Sequence, residues 1–185
     1  MSIPIRPAFL ADALLLADWA KAMAFETERK ILADDDISPG VRRAIEQVGL
    51  ARYFIAELDG RPAGCLMLTY EWSDWRNGLW WWIQSVYVKP ECRRQGVYRA
   101  LYAHVLALAE NNADVQGIRL YVEKDNHAAQ QTYLALGMHD SHYRVFEQSM
   151  FTTRLQAFYT PLMGFLPNIG VAVVLLVGGR QVIDG

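Results

Sequence analysis

The feature that most constrains the fold of this chain is the run of residues 86–101, which reads as a strand, a tight turn and a helix. Pro90 starts the turn, and Gly96 opens the helix after two arginines. The first turn of a helix carries backbone N–H groups without intrahelical partners and a partial positive charge, so it suits a phosphate. The run therefore predicts a strand-to-helix unit that binds a ligand with a pyrophosphate group.

Bulk composition excludes several classes of protein. The chain has 185 residues, a net charge of −2 and no cluster of basic residues, which argues against nucleic-acid binding. Cys65 and Cys92 form no CxxC pair, and the four histidines lack metal-ligand spacing, so we expect no bound metal. We expect a cytoplasmic protein, because no disulfide framework is indicated and the N-terminus lacks the pattern of a secretion signal.

Charge density divides the chain near residue 150. Residues 151–185 hold three of the 38 charged side chains, and residues 155–179 hold none. We therefore expect one domain over residues 1–150 and an apolar tail over residues 151–185. As a helix, residues 155–179 would be about 37 Å long, enough to contact and cross a bilayer core of about 30 Å. The alternative is a tail that packs on the domain or on the second subunit of a homodimer.

Hydrophobic periodicity predicts the element order β-α-α-β-β-β-α-β-α-β, a mixed α/β domain that is antiparallel first and βαβ-like later. The first helix spans residues 10–26, and the second begins with Ser38 as N-cap and Pro39 in its first turn. A helix over residues 95–111 follows the opening run, and a last strand spans residues 138–147.

Short signals predict the turns and caps between these elements. Asp59-Gly60 and Asn77-Gly78 are typical of tight hairpin turns, because these residue types tolerate positive φ. Asn126 is expected to cap the last helix, and Gly137 is expected to end it.

Two motifs at a fixed separation resemble those of the GNAT acyltransferases. The segment from Arg93 to Tyr98 is similar to the family's acetyl-CoA motif, which reads Arg or Gln, two residues, Gly, one residue, then Gly or Ala. The family's Asn-Ala-Tyr-Gly-Phe pattern is matched by Asn126, Ala129, Tyr133, Gly137 and Met138. The resemblance covers residues 1 to about 149 and implies a GNAT-like α/β fold, in which helices flank a mixed, mostly antiparallel sheet. Tyr98 departs from the motif's second Gly or Ala.

The resemblance implies acetyl-CoA as co-substrate and assigns residues to it. These residues are Val86, Val88, Arg93, Arg94, Gln95, Gly96, Val97, Tyr98, Asn126 and Tyr133. Val86 and Val88 would offer backbone groups to the pantetheine arm where their strand separates from the next, at residues 118–122. Tyr98 would donate its N–H with its ring turned outward. Tyr133 would be the general acid for the leaving thiolate, whereas its helix face alone indicates a packing aromatic.

Acidic and aromatic residues indicate an acceptor site for a cationic amine. Glu26 and Glu28 end the first helix, and Glu71, Trp72, Asp74 and Trp75 lie near the second hairpin. Carboxylates attract a cation, aromatic rings hold it, and a base must remove a proton before the amine attacks. We therefore expect Glu26 or Glu28 to act as base or water relay, and the hairpin residues to bind substrate. The simpler interpretation is a Trp-rich core strand beside solvated acids.

The tail resembles a different class of protein. Residues 161–170 and 178–185 look like part of a transmembrane helix of ABC exporter subunits, although no Walker motif occurs anywhere in the chain. Transport is therefore not inferred, and the tail is interpreted as a fusion, a gene-boundary error or a fragment.

The leading hypothesis is an N-acetyltransferase that moves the acetyl group of acetyl-CoA to a primary amine of a small molecule or peptide by direct attack. Two alternatives stay open from the sequence: a non-catalytic acyl-CoA-binding sensor domain, and an interaction protein tethered to a membrane by its tail.

Overall fold

A five-stranded sheet with the strand order β1-β2-β3-β4-β5 organises the chain in a computed structural model that describes residues 3–141 and 143–146. The strands are β1 (Ile5–Pro7), β2 (Arg52–Leu58), β3 (Arg61–Ser73), β4 (Gly78–Val88) and β5 (Val115–Leu120). The first four strands pair antiparallel, and β5 pairs parallel with β4. The predicted change from antiparallel to βαβ-like pairing is confirmed.

Four α-helices accompany the sheet in the described part of the chain. They are α1 (Ala13–Glu28), α2 (Asp34–Glu46), α3 (Val97–Glu110) and α4 (His127–Ala135). Backbone contacts divide the chain into two compact units, Met1–Thr132 and Tyr133–Gly185. The whole sheet and the first three helices belong to the first unit.

The core of the first unit lies on both faces of the sheet. Consecutive strand residues point to opposite faces, so Phe54 and Ile55 mark the two sides. On one side Ile55 packs with α1 and α2 in a cluster of buried residues that includes Leu16, Trp19 and Val41. On the other side Phe54 meets His104 of α3 edge to face, with ring centroids 5.0 Å apart. Burial on both faces fixes the register of the central strands.

Both predicted hairpins form, and their turns differ in length. Asp59 and Gly60 form the two-residue turn between β2 and β3, with φ values of 50° and 71°, and Leu58 pairs with Arg61. The hairpin predicted at Asn77-Gly78 is confirmed, because β3 and β4 pair antiparallel and Ser73 pairs with Gly78, but its connection is longer than two residues. A 3₁₀ turn at Asp74–Arg76 precedes Asn77, and only Asn77 has a positive φ, of 47°.

The predicted start of the second helix is wrong. α2 begins at Asp34 after Ala33, four residues before Ser38, and Pro39 lies inside it. Asp34, Asp35 and Asp36 occupy the first turn, where their charges favour the positive end of the helix dipole. This stabilisation at the N-terminus explains a start ahead of the proline.

The predictions for the C-terminal part of the chain concern a last strand, an apolar tail and a domain boundary. In residues 138–141 and 143–146 the structure assigns no strand, so the strand predicted for residues 138–147 is not found in the part that is described. The tail over residues 151–185, with its transmembrane and exporter-like interpretation, lies outside the described residues. Among the helices that the structure describes, none has the length and apolarity needed to span a bilayer. The domain boundary near residue 150 stays a prediction.

Candidate functional site

Within residues 3–141 and 143–146, β4 loses its partner strand halfway along its length. Its pairing with β5 runs from Leu79 to Ile83 and ends where Ile83 meets Leu120, whereas β4 itself continues to Val88. A β-bulge occurs at this point, because Ile83 pairs with Leu68 and Ser85 with Met67, which leaves Gln84 as the extra residue. Residues 84–88 are called the open edge of β4 below.

The backbone groups of Val86 and Val88 face the side of β4 that β3 does not occupy. The N–H of Lys89 donates to the carbonyl of Ala63 at 3.0 Å, so residue 89 faces β3. Backbone groups alternate between the two sides of an antiparallel strand, and residues 86 and 88 therefore point away from β3. This is the side on which β5 has ended.

The turn between β4 and α3 brings N–H groups together at the start of α3. Arg94 and Gly96 both have positive φ, of 62° and 84°. The first helical hydrogen bond runs from Ala100 N–H to Gly96 C=O at 2.9 Å, so the N–H groups of residues 96–99 lie outside the helical ladder. A Cβ placed on Gly96 would have no atom within 4 Å. Backbone N–H groups outside the helical ladder, next to a glycine with room at its Cβ position, fit a phosphate.

The side chains of this turn have different environments. Arg93 donates from Nε to the Val88 carbonyl at 2.9 Å, and Arg94 is exposed. Gln95 donates to the Glu91 carbonyl at 2.8 Å, whereas Val97 is buried and offers only its backbone to a ligand.

Tyr98 does not have the orientation that we expected from the sequence. Its side chain is half-buried, and its ring centroid lies 6.2 Å from that of Tyr102, one helical turn further along α3. The expectation that the ring turns outward is therefore wrong. Residues four apart lie on the same face of a helix, so Tyr98 and Tyr102 are neighbours on α3.

The two acids at the end of α1 have different surroundings. Glu26 accepts a hydrogen bond from Arg93 Nη2 at 2.6 Å, whereas Glu28 is exposed and has no ion pair with the described residues. Residues two apart on a helix do not face each other. The structure therefore does not direct these two carboxylates to one point.

Asn126 and Tyr133 lie at the beginning and near the end of α4. The Asn126 side chain accepts a hydrogen bond from Ala129 N–H at 3.1 Å, so the predicted cap is confirmed. Gly137 has a φ of 87°, and Met138 N–H donates to the Tyr133 carbonyl at 3.1 Å, which confirms that Gly137 ends the helix. Burial raises the pKa of the half-buried Tyr133 above its ordinary value of 10.

The predicted acceptor residues near the second hairpin do not share one face. Glu71 and Trp72 are consecutive residues of β3, so their side chains point to opposite sides. Trp72 and Trp75 are exposed, and the Asp74 carboxylate accepts a hydrogen bond from Trp75 N–H at 2.8 Å.

Glu71 belongs to a cluster that sequence reasoning missed. Its carboxylate accepts a hydrogen bond from Trp82 Nε1 at 2.6 Å and pairs with Arg119 Nη1 at 3.0 Å. The guanidinium carbon of Arg119 lies 3.9 Å from the centroid of the Trp80 ring. Alternation offered a signal, because Gly117 and Arg119 share a face just as Trp80 and Trp82 do.

Comparisons with known proteins agree with this geometry. The model of the acetyltransferase (GNAT) family matches residues 15–138. The crystal structure of a possible acetyltransferase from Clostridium difficile 630 is 36% identical, with a TM-score of 0.76, and the match covers 81% of this chain and 99% of that one. No curated protein matches the chain.

More distant structures share the fold. A ribosomal-protein-alanine N-acetyltransferase from Brucella melitensis biovar Abortus 2308 is 14% identical, with a TM-score of 0.64 over 80% of this chain and 100% of that one. An aminoglycoside N-acetyltransferase in complex with CoA is 17% identical, with a TM-score of 0.65 over 80% of this chain and 95% of that one.

A family model that matches residues 15–138, together with a 36% identical structure of the same fold, decides the family. The chain belongs to the GNAT family of acetyltransferases and is an acyltransferase enzyme.

Proposed function

We propose that this enzyme transfers the acetyl group of acetyl-CoA to a primary amine of a small molecule or peptide by direct attack. One observation carries the proposal: the open edge of β4 leads directly into the turn that begins α3, where Gly96 has room at its Cβ position among the described residues. An unpaired strand edge offers hydrogen bonds to an extended arm with amide groups, and a helix start offers them to phosphates. Acetyl-CoA carries both chemical groups.

The co-substrate would be held mainly by backbone groups. Val86 and Val88 would contribute N–H and C=O groups along the open edge, although the Val88 carbonyl already accepts a hydrogen bond from Arg93. The N–H groups at residues 95–98 would face the pyrophosphate, with Arg94 as an exposed cation beside them. Asn126 would act from the N-terminus of α4.

The reaction needs no covalent enzyme intermediate. The amine nitrogen forms a bond to the thioester carbonyl carbon, and the carbon–sulfur bond then breaks, with its electron pair leaving on sulfur. We assign to Tyr133 the proton that the thiolate takes up. Its phenol is protonated at neutral pH, as a proton donor must be, and burial raises its pKa further above 10.

The amine must lose a proton before or during its attack. Of the two acids at the end of α1, Glu28 has no ion pair among the described residues, and we propose it as the acceptor of that proton, directly or through water. Carboxylate and aromatic groups at the second hairpin, Asp74 with Trp72 and Trp75, would attract the amine, and Glu71 would support this hairpin. Two structural neighbours are a ribosomal-protein-alanine N-acetyltransferase and an aminoglycoside N-acetyltransferase. Both names describe transfer to an amine, which supports an amine acceptor.

Acetyl-CoA titration by calorimetry tests the proposed phosphate site at the turn before α3. Gly96→Glu should weaken binding by at least about 100-fold, because it places bulk and negative charge where the phosphates would lie. Gly60→Glu is the matched control, since Gly60 also has a positive φ and open space but sits in the β2–β3 turn. A wild-type protein that does not bind acetyl-CoA would refute the proposal.

Turnover measurements test the chemistry in the same preparations. Tyr133→Phe should lower kcat by about 10²–10⁴-fold with an unchanged Kd for acetyl-CoA, provided that chemistry is rate-limiting. Tyr70→Phe is the control, because burial also raises the pKa of Tyr70. A mass-spectrometric screen of amines identifies the acceptor, and equal turnover of wild type and Tyr133→Phe would remove the general-acid role.

A further inference from the structure

Arg93 connects three parts of the first unit through one guanidinium group. Its Nε donates to the Val88 carbonyl at 2.9 Å, and its Nη2 donates to Glu26 at 2.6 Å. Its guanidinium carbon lies 6.0 Å from the centroid of the Tyr87 ring. The side chain thus joins the turn before α3 to the last carbonyl of the open edge and to the end of α1.

Glu26 is presented from a well-fixed helix end. Arg29 ends α1 in the left-handed conformation, with a φ of 55°. Its N–H donates to Phe25 C=O and the N–H of Lys30 donates to Ala24 C=O, both at 3.2 Å. Such a closed C-terminus satisfies carbonyls that would otherwise be unpaired, and Ala24 is buried beneath it. The backbone that carries Glu26 is therefore fixed at the point where its carboxylate meets Arg93.

These contacts favour a structural role for Glu26 over a role in proton transfer. A general base must direct a lone pair at its substrate, whereas Glu26 Oε2 is directed at Arg93, which leaves only Oε1 for a substrate. The same guanidinium cannot be fully committed to a phosphate, because its Nε and one Nη are committed to protein oxygens. The contacts of both side chains therefore indicate a structural role at the open edge.

We propose that Glu26 and Arg93 act together as positioning residues, which hold the outer end of the open edge against the end of α1. The pair sets the spacing between Val88 and the N–H groups that begin α3. This inference rests on the proposed function, in which acetyl-CoA binds along these groups. It assigns to the pair an effect on the affinity for acetyl-CoA and none on proton transfer.

A double-mutant cycle tests the pair. Glu26→Ala and Arg93→Ala should each weaken acetyl-CoA binding about 3–5-fold, and the double variant should be no weaker than Arg93→Ala alone. Glu26→Gln still accepts a hydrogen bond from Arg93, so its Kd should stay within about 2-fold of wild type, with an unchanged pH profile of kcat. Asp34→Asn is the control, because it breaks an ion pair from α1 to α2 instead.

Two results would overturn the proposal. A fall in kcat of about 10²-fold or more in Glu26→Gln at unchanged Kd would make Glu26 a base. Independent, additive effects of Glu26→Ala and Arg93→Ala on Kd would show that the residues do not act as a unit.

Hydrogen exchange separates failure of this pair from failure of the proposed function. In the free protein both alanine variants should speed exchange of the Arg29 and Lys30 amides, whose hydrogen bonds close α1. Unchanged exchange overturns the positioning role. If exchange is faster in the variants but the protein does not bind acetyl-CoA, the contact between Glu26 and Arg93 is supported and the cofactor assignment is refuted.

Discussion

An arginine–glutamate pair lies at each end of the open edge of β4, and the two pairs are built differently. At the inner end, where β5 stops, Arg119 of β5 pairs with Glu71 of β3. At the outer end, Arg93 pairs with Glu26. The inner pair joins residues of strands in one sheet, whereas the outer pair joins a turn to a helix end.

The surroundings of the two arginines differ as much as their connections. The guanidinium of Arg119 lies 3.9 Å from the Trp80 ring, while that of Arg93 lies 6.0 Å from the Tyr87 ring. The Arg119 side chain is 28% exposed and the Arg93 side chain 45%. A cation close to an aromatic face and partly shielded from water contributes more than a solvated ion pair.

This difference indicates a division of labour along β4. The inner pair fixes the point at which the strands separate, so its loss should be measured mainly as stability. The outer pair lies at the surface beside the proposed phosphate site, so its loss should be measured mainly as affinity. A variant of the outer pair that mainly loses stability, or a variant of the inner pair that mainly loses affinity, would contradict this assignment.

The largest effect is expected at the inner pair. Arg119→Ala should lower the free energy of unfolding by about 2–3 kcal/mol, because it removes the cation from Trp80 and a hydrogen-bond donor from Glu71. Urea denaturation measures the change. Arg119→Lys keeps the charge without the planar stacking and should recover about half of the loss. A greater destabilisation by Arg93→Ala would refute the division.

A smaller effect is expected from the glycine beneath the inner pair. A Cβ on Gly117 would lie 2.5 Å from Cζ3 of Trp80, so the ring must shift and its contact with Arg119 must loosen. Gly117→Ala should therefore cost about 1–2 kcal/mol in thermal or urea unfolding. Gly49→Ala is the control, since its Cβ would meet no atom within 4 Å. Equal stabilities of the two variants would show that the Trp80 position is not constrained.

Local signals in the sequence were sufficient where one residue type decides the conformation. Gly60 and Gly137 have the positive φ values that their turns require, and Asn126 caps α4 through its own side chain. The helix start after Gly96 was predictable for the same reason. Each of these depends on residues within four positions in the chain, so no knowledge of the tertiary structure is needed.

Pairs that are distant in the chain could not be predicted in this way. Arg119 lies 48 residues from Glu71, and Arg93 lies 67 residues from Glu26. The register that brings Arg119 beside Trp82 depends on where β5 docks against β4. Glu26 and Glu71 were therefore read from the sequence as acids available to a substrate, although each carboxylate is held by an arginine in the fold.

A third arginine–carboxylate network lies away from the open edge. Its loss is expected to have the smallest effect on stability, and it serves as a reference for the two pairs on β4. Arg6 of β1 donates two hydrogen bonds to Asp12 and one to Glu57 of β2. The hydrogen bond from Arg6 lowers the pKa of Asp12 below its ordinary value of 3.8. Because the folded-state pKa is depressed, this stabilisation is present above about pH 4 and is lost as the pH falls through the folded value.

Asp12→Asn should consequently lower the free energy of unfolding by about 1 kcal/mol at pH 7. Wild type and variant should converge in stability as the pH falls through the lowered folded-state pKa of Asp12, because Asp12 is then protonated in both states of the wild type. Urea unfolding across pH 2–7 measures this, and calorimetry should give an unchanged Kd for acetyl-CoA. A variant that weakened acetyl-CoA binding as much as Glu26→Ala would mean that any loss of an arginine–carboxylate pair disturbs the site. The outer pair would then have no special role. An unchanged Kd in Asp12→Asn would instead tie the effect of the outer pair to the position of that pair on β4.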